Sequence, residues 1–144
     1  MKNLIFAVIF LSISFSAKAQ PLVVTNNNSC DIAVTQYCYN AGTCKLTKIV
    51  GPVVVPFRST DASSFSVNPC GPGGCVVYEV CWSSTLCSPN PCTWVDGTLP
   101  TACGCGYSHN AILPACADCT QTCGTCDSKV DFSAPGNLTA GWHP

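Results

Sequence analysis

Cysteines are the residues of this 144-residue chain best equipped for chemistry, and four of its fourteen crowd into residues 115–126, ACADCTQTCGTC. Cys116, Cys119, Cys123 and Cys126 stand at offsets 0, 3, 7 and 10, so a short helix would carry all four thiols on one face. Two CxxC pairs, with Cys103 and Cys105 close by in CGC, have spacings at which thiolates hold zinc or an iron–sulfur cluster. CGTC at 123–126 also has the form of a redox motif. It lacks the apolar strand leading in and the helix that would lower the first thiol's pKa. The third chemistry is the covalent staple.

The compartment decides among the three. The chain opens MKNLIFAVIFLSISFSAKAQ, in which Lys2 precedes an apolar run from Leu4 to Phe15 and the small-x-small site Ala17-Lys18-Ala19. Residues 1–19 read as a cleaved signal peptide, because the run is shorter than the roughly 20 residues that cross a bilayer. No second stretch of membrane length follows, so no membrane span is expected in the mature chain. Residues 20–144 then form a single secreted domain with a Cys-rich subregion at 103–126, placed outside the cell, on its surface, or in the periplasm of a bacterium. All fourteen cysteines remain, about 11% of the mature chain, which marks a disulfide scaffold. Cys30, Cys38, Cys44, Cys70, Cys75, Cys81, Cys87, Cys92, Cys103, Cys105, Cys116, Cys119, Cys123 and Cys126 are therefore all read as structural disulfide cysteines, with the pairing open and no metal or cofactor required. Eight precede residue 100 and six follow it, so each even group could close on itself.

Charge narrows the partners. Four basic residues (Lys45, Lys48, Arg58, Lys129) face seven acids (Asp31, Asp61, Glu79, Asp96, Asp118, Asp127, Asp131) in the mature chain. That is no footprint for nucleic acid or anionic lipid, both of which need clustered Lys and Arg. Glycoside hydrolysis needs two carboxylates across a cleft, whereas here a single Glu sits mid-strand and the Asp residues sit mostly at turns. His109 and His143 read as loop residues, and no G-x-S-x-G elbow stands in the chain. No catalytic residue is assigned.

The elements that must position these groups are strands. LVVT, DIAVTQYCY, KIV, PVVVPF, SFSV and CVVYEVCW are rich in Val, Ile, Tyr and Thr and are separated by turn residues. In CVVYEVCW the period of two sends Val76, Tyr78, Val80 and Trp82 inward and leaves Cys75 and Cys81 under a loop or at a sheet margin. Pro52 and Pro56 make VVV an edge strand or a connection between sheets. Asp96-Gly97 fits a type I′ hairpin turn, and Pro135-Gly136 a type II turn. The expected fold is an all-β, disulfide-rich antiparallel sandwich with a Cys-rich loop or short helix near the C-terminus.

The opening VVTNNNSCDIAVTQYC resembles the first hairpin of thaumatin-like proteins, which also run strand, Asn-containing turn, cysteine and strand into a disulfide-rich sandwich. The likeness covers about sixteen residues and implies architecture alone; that family's acidic cleft has no counterpart here.

Aromatic side chains offer the remaining route to function, since flat amphipathic rings bind sugars or proteins at low entropic cost. Trp82 is assigned to the core. Tyr37 and Tyr39, on the face of their strand opposite Ile32 and Val34, and Trp94, beside Asp96-Gly97, are the candidate contact residues and are expected to be exposed. Together these readings describe a secreted, non-enzymatic binding, adhesion or structural protein whose partner is an extracellular protein or glycan. The alternatives are a secreted inhibitor or toxin-like effector, and a small enzyme or metal-binding protein using the 103–126 cysteines.

Overall fold

The computed structural model describes residues 20–71, 73–83, 90–116 and 127–142. The expectations for residues 1–19, for a helix or loop from residue 117 to 126, and for Cys87, Cys119, Cys123 and Cys126 lie outside them. The regular structure among the described residues is β: β1 (Val23–Asn26), β2 (Ile32–Tyr39), β3 (Leu46–Val55), β4 (Ser59–Asp61), β5 (Cys75–Trp82), β6 (Cys92–Asp96), β7 (Asn110–Leu113), β8 (Ser128–Ser133) and β9 (Asn137–Trp142). They form a five-stranded sheet in the order β4-β1-β9-β8-β7 and a four-stranded sheet in the order β3-β2-β5-β6. None of the described residues forms a helix long and apolar enough to cross a membrane.

The layers are held by the alternation read in the sequence. Val76, Tyr78, Val80 and Trp82 of β5 and Ile32 and Val34 of β2 are buried, in one cluster with Val24, Val130, Phe132, Leu138 and Ala140 of the opposite sheet. Each large apolar side chain buried this way contributes roughly 1.5–3 kcal/mol. Tyr78 and Phe132 stack across the layer with ring centroids 5.7 Å apart. Two polar groups enter this core with partners. Gln36 Nε2 donates to Ser66 O at 2.6 Å and to the Tyr78 hydroxyl at 3.0 Å, and Trp82 Nε1 donates to Pro114 O at 2.7 Å.

Sheet order bears out the expected antiparallel sandwich, with one parallel pair. The neighbours are antiparallel except β1 and β9, which run parallel from Val23 opposite Asn137 to Asn26 opposite Ala140. The stretch that resembles the first hairpin of thaumatin-like proteins forms no hairpin itself, because β1 and β2 belong to different sheets. Asn26 explains the corner. It is fully buried, shares its side-chain N–H donors among the carbonyls of Cys30, Val55 and Pro56 at 2.9 to 3.1 Å, and accepts from Asn28 N at 3.0 Å. These bonds turn the chain out of one layer and into the other.

β3 is an edge strand, as Pro52 within it and Pro56 just after it require. Its pairing with β2 shifts register on either side of Gln36, and Lys48 and Pro52 on it are exposed. Bulge, charge and proline are the devices that keep an open edge from recruiting further strands. The two turns read from sequence diverge. Residues 133–136 do close a hairpin between β8 and β9, with Gly136 N donating to Ser133 O at 3.0 Å. Proline is third in that turn rather than second as a type II turn would have it, and Gly136 adopts a φ of +132°, where a side chain would also strike Val67. Asp96-Gly97 makes no hairpin. β6 instead leads through residues 97–109 to β7 in the other sheet.

Candidate aromatic face

The outer face of the four-stranded sheet collects the groups that the alternation directs away from the core. Tyr37 and Tyr39 come from β2, Cys75, Val77 and Glu79 from β5, and Trp94 and Asp96 from β6, with Val77 registered opposite both Tyr37 and Asp96, and Glu79 opposite Trp94. Residues 97–109 cover one end of this face. Cys103, Cys105 and Tyr107 pack on Tyr39, Cys75 and Val77.

That cover is stapled and hydrogen-bonded. Cys75–Cys103 ties it to β5, and Cys44–Cys105 ties it to the loop joining β2 to β3. Both bonds cross the boundary at residue 100, so the two cysteine groups do not close on themselves. Two further pairs are Cys38–Cys70 and Cys81–Cys92, the latter joining registered positions of β5 and β6. Cys30 and Cys116 are also disulfide-bonded, and no described cysteine is free. The metal reading of the 103–126 cluster therefore loses the thiolates of Cys103, Cys105 and Cys116. Glu79, Cys81 and Cys92 do gather within 4.8 Å, but sulfurs bonded to each other offer no thiolate ligand.

Asp96 anchors the cover from below. Its sequence context, Asp-Gly, reads as a turn, yet the side chain is 0% exposed. The carboxylate accepts from Thr98 N at 2.7 Å, from Cys103 N at 3.3 Å and, by a short bond, from the Tyr39 hydroxyl. A buried carboxylate is tolerated when its lone pairs are filled in this way. Tyr39 is pushed above the ordinary phenol pKa, first by burial and then by its bond to Asp96 and the charge there. Gly97 has its own reason to be glycine, since a Cβ there would overlap the Tyr78 ring.

From the sheet onto the cover the aromatic rings form a row. Tyr37 and Trp94 have centroids 5.3 Å apart at 46°, Trp94 and Tyr107 6.0 Å at 34°, and Tyr107 and Tyr39 5.2 Å at 73°. Tyr37, Trp94 and Tyr107 are half-buried. Tyr39, expected to be exposed, is only 5% so, because the cover closes over it. The Tyr37 hydroxyl donates to Glu79 Oε2 at 3.1 Å, and burial, that bond and the nearby charge raise its pKa. Lys48, exposed on β3, is registered opposite Tyr37 on its other side.

Of the three candidate contact residues, Tyr37 and Trp94 are thus brought together, and Tyr39 forms the buried end of the row. Sequence reasoning gave no site role to Glu79 or Asp96. Tyr107 is by type a further candidate contact ring, but it lies in no strand-like run that would place it beside the others, and Asp96 has the look of half a turn. His109, the loop histidine, has Nε2 2.7 Å from Thr98 O. Two hollows flank the region: a cleft of about 160 Å³ whose lining, Val67, Asn68, Val76, Thr98 and Leu99 with adjacent glycines, includes no titratable side chain, and an open groove of about 410 Å³ between Asn40, Thr43, Lys45 and Cys70. No protein-family model, curated protein or solved structure matches the chain.

Proposed function

We propose that this is a secreted, non-enzymatic binding protein that works outside the cell and makes contact through the outer face of its four-stranded sheet. The observation that carries the reading is the row Tyr37–Trp94–Tyr107, three half-buried rings in successive contact, two from the outer face of the sheet and one from its cover. Rings held by their neighbours lose little freedom on binding, so their contact area converts into affinity at low cost. The stapled cover supports the same reading. Four cystines among the described residues suit an oxidising space, and they hold the face rigid without a large core.

The buried groups are spoken for structurally. Asp96 has its oxygens filled by the cover and is sealed from solvent, so it serves as an anchor rather than as an acid or base. The test is binding of labelled mature protein to the surface of the cells that produce it. Wild type binds saturably, and Tyr37→Ala with Trp94→Ala binds at least about tenfold more weakly, a loss of roughly 1.4 kcal/mol, with an unchanged circular dichroism spectrum. Equal binding by the double variant would sink the proposal.

A further inference from the structure

We infer that the ligand of this face is a neutral, soluble oligosaccharide laid along the Tyr37–Trp94–Tyr107 row, with sugar rings stacked on the aromatic rings and hydroxyls held by Glu79. The inference rests on the contact face proposed above and names the chemistry that fits it.

Apolar area argues against a protein partner. Among the described residues the exposed large apolar side chains are Ile49, Val54, Phe57, Leu99 and Ile112, and none belongs to the row. A stable protein interface buries about 800 Å² per partner around an apolar centre, which three half-buried rings do not supply. A saccharide asks for less: ring-sized platforms for its C–H faces and a few polar groups at their edge.

Those polar groups are present. Glu79 uses Oε2 to accept from Tyr37, which fixes the carboxylate beside the rings and leaves Oε1 to accept sugar hydroxyls. Lys48, exposed on β3, stands opposite Tyr37, whereas Thr35, registered with Glu79, is buried. Charge selects within the class. One carboxylate and one ammonium at the row, on a chain with more acids than bases, do not favour a polyanionic glycan, which would need a basic stripe.

Ring geometry selects further. Centroid steps of 5.3 and 6.0 Å each approximate the length of one sugar unit in a chain. The planes turn by 46° and 34° between successive rings, so no flat surface can lie on all three. A free chain that twists from unit to unit can follow them, whereas a crystalline polysaccharide sheet cannot.

Isothermal calorimetry with cellohexaose, xylohexaose, mannohexaose and chitohexaose, beside sedimentation with microcrystalline cellulose and titration with heparin, tests the inference. At least one hexasaccharide is expected to bind saturably, with an affinity reduced at least tenfold in Trp94→Ala and severalfold in Glu79→Gln, which keeps the acceptor for Tyr37 and the shape of the side chain. Silence with all four hexasaccharides overturns it, as does binding unchanged in Trp94→Ala, or binding confined to cellulose crystals or heparin. If the hexasaccharides are silent while Tyr37→Ala with Trp94→Ala still abolishes cell-surface binding, the ligand class falls and the contact face stands. If both experiments are negative, both fall.

Discussion

The two faces of the four-stranded sheet are buried by different physics. The inner face meets a second sheet, and its contacts are aliphatic and aromatic side chains with two satisfied polar groups, Gln36 and Trp82 Nε1. At one end of the outer face the described residues form no second sheet. Residues 97–109 take its place, a segment without strand or helix until Asn110, held by two cystines and one buried carboxylate. Irregular backbone cannot satisfy itself as a sheet does, so the cover depends on point attachments where the core depends on area. The difference places the rigid layer beneath and the shaped, partly open aromatic surface above it.

The sharpest way to break the inner face is Trp82→Ala. Its ring is among the largest fully buried side chains, and truncation removes both its packing and its bond to Pro114, so a loss of about 3–5 kcal/mol is expected. Denaturant unfolding should show one cooperative transition at a much lower midpoint, with the amides of β2, β5 and β8 losing protection together. Retention of the midpoint would mean that the two sheets are not held by this cluster.

The matching lesion on the outer face is Cys44→Ser with Cys105→Ser. This bond joins residues 61 apart, and removing such a cross-link costs about 2–4 kcal/mol. The signature should differ in kind from that of Trp82→Ala. Hydrogen exchange should accelerate in residues 97–109 while the amides of β5 keep their protection, since the inner face is untouched. Uniform acceleration in both would erase the distinction between area and point attachment.

The same contrast governs what could be read from the sequence. The inner face was legible because alternation is local: Val76, Tyr78, Val80 and Trp82 declare their side in eight residues of β5. Edge position was legible in β3, where proline is incompatible with a two-sided ladder. The outer face was not legible in this way, because each of its attachments joins distant positions. Asp96 looks like half of a turn until Tyr39, 57 residues earlier, donates to it. Tyr39 looks exposed until Cys103 and Cys105 bring the cover over it, and cysteine spacing does not say which partner each thiol finds. The parallel pairing of β1 with β9 joins the first and last of the described strands, and no local pattern encodes that either.

Alkaline titration compares the two faces on a finer scale, through one phenol on each. Tyr78 on the inner face and Tyr39 on the outer face both ionise well above the usual phenol value, but for different reasons. Burial dominates for Tyr78, and its bond from Gln36 Nε2 works the other way by favouring the anion. For Tyr39 burial is joined by the Asp96 carboxylate, which takes the phenol proton in a hydrogen bond and repels the phenolate. A phenol whose pKa is higher folded than unfolded supports the fold fully below the unfolded value of about 10 and loses that support as pH rises through the folded value. Stability should therefore fall above pH about 10, with the phenolate absorbance of these two residues developing late or together with unfolding. Asp96→Asn separates the faces. The substitution removes the negative charge, so Tyr39 should titrate earlier while Tyr78 is unmoved, and the alkaline loss assigned to the cover should shrink even though the variant is less stable at neutral pH. A Tyr39 titration unchanged by Asp96→Asn would show that the cover is held by packing, as the core is, and that the carboxylate is incidental to it.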